Sequence, residues 1–413
     1  MGSAIVSYTV TMLLSPENLK DFMIPVVESS SLFENKNVIL CIVANPCAGG
    51  FTRKRVSKKN FEQLEKIANN ARNKAKVTSV EEARIFETSH PGEGSILVSE
   101  LLQKLPRIIE EFSDNRDESQ HPKGLQILVV TAGGDGTHLE VQTAILKKSL
   151  ENPELGNLIK KYVTILRLPL GTGNDGSDGR TLEEAFARLT EPAHFSLQRA
   201  IKVWYDTTGK NPISTEKYES LDSLPPWYAF NIASVGIDAF ITYMTNRTKK
   251  YMPGDTYQLW VDLACVFYSW KFPAKPLTLE IFDDNDNIVE TITSPVEFVV
   301  LGVSGNRTYG SNHLIFPTDK NLCTVRKINL FMKLLKKHTF GDGTHINYSF
   351  SKNFFANKIK ITYNQKILVE MDGEVHLLEP DFYPLYMEKT EPIIPIIECN
   401  NQAVDKGAVP YIK

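Results

Sequence analysis

The chain has no uninterrupted apolar run of the about 18 residues that a membrane-spanning helix needs. The nearest stretch, LWVDLACVFYSW from Leu259 to Trp270, is 12 residues long and carries Asp262. Its five cysteines, Cys41, Cys47, Cys265, Cys323 and Cys399, contain no CxxC pair and no His/Cys cluster at zinc spacing. That scatter predicts a reduced, cytoplasmic protein without a structural metal. An excess of one charge sign is missing too: the formal net charge is −3, too small for general attraction to nucleic acid. No nucleic-acid partner is expected, and any other partner must be argued from sites. The start, MGSAIVS, lacks the basic and apolar regions of a signal peptide, and Val6 breaks the myristoylation pattern. There is no GxxxxGK[ST] loop, which excludes a Walker A site.

What is present is a chain of 413 residues, 42% hydrophobic and 23% charged, long enough for two domains with separate cores. The first half alternates strands and helices. VILCIVAN (38–45), ARIFET (83–88), QILVVTA (126–132) and VTILRL (163–168) read as strands, with apolar residues at helical spacing between them. This predicts an α/β domain with a mainly parallel sheet. From about Ala200 the segments become shorter and β-rich, among them AIKVWY, WYAFNIAS, LTLEIFD, VEFVVLGV, KINLFM, KIKITY and KILVEMDGE, with one substantial helix around 256–270. An antiparallel, β-rich second domain follows. The expected organisation is an N-terminal extension (1–36), an α/β domain (37–195), a β-rich domain (196–388) and a C-terminal tail (389–413) able to pack back on the first domain. The polar span 206–225 reads as a long hairpin or insertion.

In a parallel α/β sheet, ligands collect beyond the carboxyl ends of the strands. Three loops there are rich in small residues: NPCAGG (45–50), AGGDGTH (132–138) and PLGTGND (169–175). Glycine lets backbone N–H groups approach a phosphate, and a helix N-terminus adds a favourable dipole. Thr137 could cap a helix beginning near His138. One polyphosphate cradled by all three loops accounts for their placement, with Asp135 holding magnesium, taking a proton from an acceptor hydroxyl, or both. A lone GDG is ordinarily a tight turn. The chain offers its own comparison at Gly341–Thr344, a second GDGT for which a hairpin turn suffices. GTGNDG (171–176) also satisfies the dinucleotide pattern GxGxxG, but as the fourth βα turn rather than the first, and a dehydrogenase leaves AGGDGT without a task.

The ordered set NPCAGG, GGDGT, PLGTGND and late MDGE (371–374) resembles the diacylglycerol kinase catalytic-domain family, which includes sphingosine kinases and bacterial lipid kinases. The similarity runs from about Asn37 to Glu388 and includes NIASVGIDA (231–239) and GNRTYG (305–310). The resemblance implies transfer of a phosphoryl group from ATP, with Mg2+, to a lipid alcohol, with nucleotide between two domains. Carried over by residue, Asn45, Gly49, Thr88, Gly133, Gly134, Gly136, Thr137, Gly171, Thr172 and Asn174 would form the nucleotide site. Asp135 would be catalytic or a metal ligand, Asp372 a second metal ligand and Glu374 the rival base. Peripheral membrane contact follows from a lipid substrate.

The chain departs from the family pattern at Ala48, usually serine, at Gly50, often lysine, and at GSDGR (176–180). PTDKNLCTV (317–325) only partly matches the stretch that would supply a magnesium site at Asp319. Basic residues in TRKRVSKK (52–59) follow the first loop; most read as a solvated helix face, with Arg53 and Arg55 the two to test against phosphate. Trp260, Leu263, Val266, Phe267 and Trp270 recur at helical spacing in the second domain. An ordinary core helix is the default, while the resemblance lets Trp260 and Phe267 line a lipid cavity. Two other classes stay open: an NAD kinase-like enzyme with a soluble acceptor, and a catalytically silent nucleotide- or lipid-binding protein.

Overall fold

Residues buried on both faces of a strand must be apolar almost without interruption, and Lys36–Ala44 (β1) shows why VILCIVA reads as it does. Val38, Leu40, Ile42 and Ala44 enter one core, while Ile39, Cys41 and Val43 enter the other. The computed structural model describes residues 12–114, 124–171, 173–206, 225–248, 251, 257–309, 313–400 and 408–410.

Ahead of β1, helix α1 (Pro16–Glu28) begins at a capping box in which Ser15 and Asn18 satisfy each other's backbone N–H groups. Its Leu19, Phe22 and Met23 share the first core with β1, and the Phe22 ring meets Phe61 edge to face at 5.1 Å. After β1 come α2 (Gly49–Thr52), α3 (Lys54–Arg72), β2 (Ser79–Glu87), α4 (Glu93–Gln103), α5 (Leu105–Asp114), β3 (Gly124–Gly133), α6 (Asp135–Glu151), α7 (Pro153–Tyr162), β4 (Val163–Pro169) and α8 (Leu182–Thr190). The strands form a parallel sheet of order β2-β1-β3-β4. One face packs on α1, α3 and α8, the other on α4, α6 and α7. Truncating a fully buried aliphatic such as Ile42 in this sandwich costs about 2 to 5 kcal/mol.

The remaining strands are β5 (Ala193–Gln198), β6 (Ile201–Tyr205), β7 (Trp227–Ala229) and β8 (Ile232–Gly236), after which the chain forms two helices, α9 (Ile237–Thr248) and α10 (Tyr257–Lys271). Then follow β9 (Pro276–Phe282), β10 (Ile288–Gly302), β11 (Arg307–Tyr309), β12 (His313–Phe316), β13 (Leu322–Arg326), α11 (Leu330–Lys336), β14 (Ser351–Phe354), β15 (Lys358–Thr362), β16 (Ile367–Met371), β17 (Glu374–Leu378), β18 (Leu385–Lys389), β19 (Ile394–Cys399) and β20 (Ala408–Pro410). The large antiparallel sheet runs β17-β16-β8-β10-β9-β15-β18-β6-β7, with β13 and β14 added alongside β10. β10 spans both halves of it, pairing β9 through its first residues and β8 and β13 through its last. Its side chains alternate, Val299 and Leu301 into one core and Phe298 and Val300 into another. β19 and β20 both pair β5, and β19 lies against β4.

Three local expectations change. KINLFM is not a strand: Asn329 accepts the Met332 N–H and caps α11, whose apolar residues follow helical spacing. The second part holds two longer helices rather than one, because NIASVGIDA runs from β8 straight into α9. The second GDGT is no hairpin but a turn between two short 3-10 helices, 337–340 and 344–347, where Asp342 accepts from the Thr344 N–H and hydroxyl. The expected hairpin or insertion at 206–225 lies, but for its ends, outside the described residues.

Candidate active site

The three small-residue loops leave one rim of the parallel sheet and are tied to each other by backbone. Asn45 N–H donates to Ala132 O at 2.9 Å, Gly50 N–H to Leu170 O at 2.8 Å and Leu170 N–H to Gly133 O at 3.2 Å. The Asn45 side chain turns its own loop by accepting Cys47 N–H, and Thr88 at the end of β2 bonds to Ala44 O. Asn174, at φ +60°, accepts Gly171 N–H at 2.8 Å and returns its amide to Pro169 O.

The glycines divide by what surrounds them. A Cβ at Gly171 would lie 2.4 Å from the Gly134 Cα, and one at Gly133 equally close to the Thr137 hydroxyl. These positions require glycine for loop packing alone. Gly50 is the same: a Cβ there would sit 2.8 to 2.9 Å from Leu170, so the first loop lies too close for a lysine at this position. Gly136 is different, exposed in the first turn of α6 with nothing within 4 Å of its missing Cβ. At Gly49 the side chain folded over the backbone is Arg53, its Nε 3.2 Å from a Cβ built there.

Helix α6 starts at Asp135, with Gly134 as its N-cap. Thr137 is therefore inside the first turn and buried against Gly133, not the cap. The Asp135 carboxylate accepts the Gly176 N–H at 2.9 Å from the neighbouring loop. Burial raises its pKa above the ordinary carboxylate value, and the charge of Asp175 adds to this, opposed by backbone N–H bonds and by Arg180. Asp175 pairs with Arg180 at 2.5 Å, and the same guanidinium reaches Thr308 O and Oγ1 of the second part at 3.3 and 3.2 Å. Arg180 thus stitches the loop to β11.

From the other side, the MDGE turn brings in Asp372 at φ +46°. Its carboxylate accepts three successive backbone N–H groups, from Phe230, Asn231 (3.1 Å) and Ile232 (2.9 Å). Burial nevertheless pushes its pKa up to about 6, and the negative charge of Asp135 contributes to the rise. Glu374, two residues on, is exposed and lines a recess with Leu139 and Thr143, one to two turns along α6 from Asp135. On the opposite flank, Asn174, Asp175 and Arg180 face Phe230, Asn231 and Thr308 across a polar cleft of about 510 Å³. Thr172 lies outside the described residues.

Asn45, Gly49, Thr88, Gly133, Gly134, Gly136, Thr137, Gly171 and Asn174 therefore share one rim, and Asp372 approaches it from the antiparallel sheet. Trp260 and Phe267 do not share the apolar pocket of the second part, a cavity of about 90 Å³. Helix α10 turns Val261 and Cys265 into it, against Ile237, Phe298 and Phe340. The Trp260 indole instead donates to Thr248 of α9, and Phe267 is half-exposed. Among the described residues no group of three or more His, Cys, Asp or Glu side chains is arranged to hold a metal by itself, Asp319 included.

A buried polar set behind the loops escaped the sequence reading. His138 contacts Thr131 Oγ1 at 2.6 Å and Ser177 Oγ at 3.1 Å. Arg167 pairs with Asp178 at 2.6 Å and donates to Gln142 and Gln198. Burial opposes charge on Asp178, but Arg167 and Arg188 hold its pKa below the ordinary carboxylate value. The available signal was Arg167 inside VTILRLP: a charge in the middle of a doubly covered strand needs a buried partner.

Residues 40–203 match the family described as the diacylglycerol kinase catalytic domain, in agreement with the resemblance carried by the motifs. Two solved structures from Bacillus anthracis str. Sterne, each described provisionally as a diacylglycerol kinase, are similar in fold. One is 16% identical at a TM-score of 0.50, covering 87% of this chain and 96% of its own. The other is 15% identical at 0.51, covering 88% and 98%. At such identities the likeness is one of fold: a parallel α/β part followed by a large antiparallel sheet. No curated protein sequence matches the chain.

Proposed function

We propose that the chain is an ATP-dependent lipid kinase that transfers the γ-phosphoryl group to a lipid hydroxyl. The observation that carries this reading is the placement of Asp135. It opens a 17-residue helix at the rim of the three-loop cradle, is fixed by the Gly176 N–H, and lies near enough to Asp372 for the two charges to interact.

Residues in the first turn of a helix have N–H groups without intrahelical partners, and these favour an anion. The bare Gly136 gives a phosphate access to them. Arg53 on the first loop and Arg180 on the third supply positive charge at two sides. Magnesium fits the donor set: Asp135 and Asp372 are hard oxygen donors, and such sites typically combine one or two carboxylates with substrate phosphates. When bound, the ion would neutralise charge on the transferring group.

Asp135 takes the proton of the acceptor hydroxyl as that oxygen bonds to the γ-phosphorus. The bond to the bridging oxygen breaks, and ADP leaves with the electron pair. The Asp135 carboxylate is fixed at the rim by the Gly176 N–H, which positions it to receive that proton. Glu374 lines a separate recess one to two turns along α6 from Asp135 and is the alternative base. The remaining contribution is positioning, as phosphoryl transfer requires. The apolar pocket under α10 would take part of the lipid chain, a feature for which a soluble acceptor such as NAD has no use.

The test is incubation with radiolabelled ATP and a panel of diacylglycerol, a sphingoid base and NAD. Label in a lipid supports the reading. Label in NAD alone, or ATP binding without transfer to any acceptor, overturns it.

A further inference from the structure

Helix α10 hides Ala264, Cys265 and Tyr268 and turns Val266, Phe267 and Trp270 outward, Trp270 being 84% exposed. Next to it, α11 exposes Leu330, Phe331, Leu334 and Leu335, with Phe331 at 72%. Scattered apolar side chains on a surface are ordinary, but contiguous ones mark an interaction site. These faces are contiguous because the helices are joined along one seam: Lys333 donates to Ser269 at 2.7 Å, and Lys337 pairs with Asp262. Seen down α10, Asp262 and Ser269 lie beside the outward stripe, so α11 extends that stripe sideways.

The charge on the two helices is net positive: residues 257–271 and 330–337 carry Lys271, Lys333, Lys336 and Lys337 against Asp262. Lys333 is buried and pairs with Glu297 at 2.7 Å, and Lys337 pairs with Asp262, so the positive charge at the surface is that of Lys271 and Lys336. Large apolar side chains with lysines around them fit a lipid surface bearing negative headgroups. A two-fold pairing of this face with a second copy would bring two net-positive surfaces together. The apolar pocket, with Val261 and Cys265 of α10 and Lys336 and Lys337 on its wall, lies between the same helices and the sheet.

We propose that the outward faces of α10 and α11 form a docking platform that seats the chain on an anionic membrane, with the acceptor pocket beneath the contact. The identity of the occupant rests on the lipid-kinase reading; the platform itself is tested without turnover. The full chain is sedimented with vesicles of phosphatidylcholine alone and of phosphatidylcholine mixed with phosphatidylserine, beside a Trp270→Ser/Phe331→Ser variant and Lys271→Glu. All three positions are exposed, so unchanged melting temperatures are expected.

The expected result is preferential binding to the anionic vesicles, weakened at least ~10-fold in the double variant and less in Lys271→Glu, and reduced by salt. Phosphorylation of a short-chain, monomeric lipid alcohol should be unaffected by the substitutions, while phosphorylation of the same lipid class in vesicles should fall. Vesicle binding lost in the double variant, with no lipid phosphorylated by any form, would sink the kinase reading and leave the platform standing. The platform is overturned if the double variant binds anionic vesicles like the parent. It is equally overturned if the parent ignores vesicles and sediments as a dimer that the substitutions dissociate.

Discussion

The Asp135 carboxylate accepts the Gly176 N–H at 2.9 Å, a bond from the first residue of α6 to a different loop of the same rim. A carboxylate held this way cannot swing to a second rotamer without leaving a loop N–H unpaired. Asp135→Asn keeps an acceptor oxygen for Gly176 but removes the charge and the proton affinity. Turnover should fall by roughly 10²- to 10⁴-fold, with the melting temperature nearly unchanged. Asp342→Asn, in the exposed turn of the second GDGT, should leave turnover within a factor of two or so of the parent. Equal losses in the two folded variants would remove Asp135 from the chemistry.

The glycines give a second test, and the structure chooses which ones. Gly171→Ala drives a Cβ into the Gly134 backbone at 2.4 Å, so it should lower stability by roughly 1 to 3 kcal/mol and impair ATP binding only as a consequence. Gly136→Ala meets nothing within 4 Å and sits in a helix, where alanine is favoured by up to about 1 kcal/mol. It should leave the fold at least as stable while weakening ATP binding. Calorimetric titration beside thermal melting separates the two, and undiminished ATP affinity in Gly136→Ala would mean that no phosphate approaches that turn.

Arg53 and Arg55 lie two residues apart, yet only Arg53 folds over Gly49 at the rim. Arg53→Ala should raise the KM for ATP several-fold, on the order of 1 kcal/mol for one charge-assisted contact, and leave that for lipid alone. Arg55→Ala should change neither. Steady-state kinetics with each substrate varied decides this, and matching effects of the two substitutions would place both on a merely solvated helix face.

Much of the rim was legible because two-faced burial leaves little freedom: β1 and β3 had to be nearly all apolar, which located the loops after them, and those loops stand out by their small residues. The second part was harder for a physical reason. The spacing of Val266, Phe267 and Trp270 marks one helical stripe but does not say whether that stripe faces a core or the outside, and here it faces out. KINLFM was short enough to fit either period, and the informative residue was its capping Asn329. Long-range pairs such as Arg167 with Asp178 have no local pattern; only the incongruity of a buried arginine announces them.

His138 offers a test of that buried set through pH. It is 1% exposed, and burial together with the charge of Arg167 lowers its pKa to about 3, against about 6.5 for a free histidine. Asp178 and a backbone bond oppose that shift and are outweighed. A depressed histidine pKa means that between these values the unfolded chain binds a proton that the folded chain refuses. Its stabilising contribution is therefore complete above pH ~6.5 and is lost as pH falls toward 3, by roughly 1.4 kcal/mol per unit. Asp372, with its pKa raised to about 6, works in the opposite sense over an overlapping range, so the parent curve alone is ambiguous. The difference between parent and His138→Gln removes every other group to first order. Measured by urea unfolding at pH 7, 6 and 5, that difference should be constant above ~6.5 and shrink by about 1.4 kcal/mol per unit below it. Parallel curves would mean that His138 accepts its proton in the folded state, and that the Thr131–His138–Ser177 contact does not depend on a neutral ring.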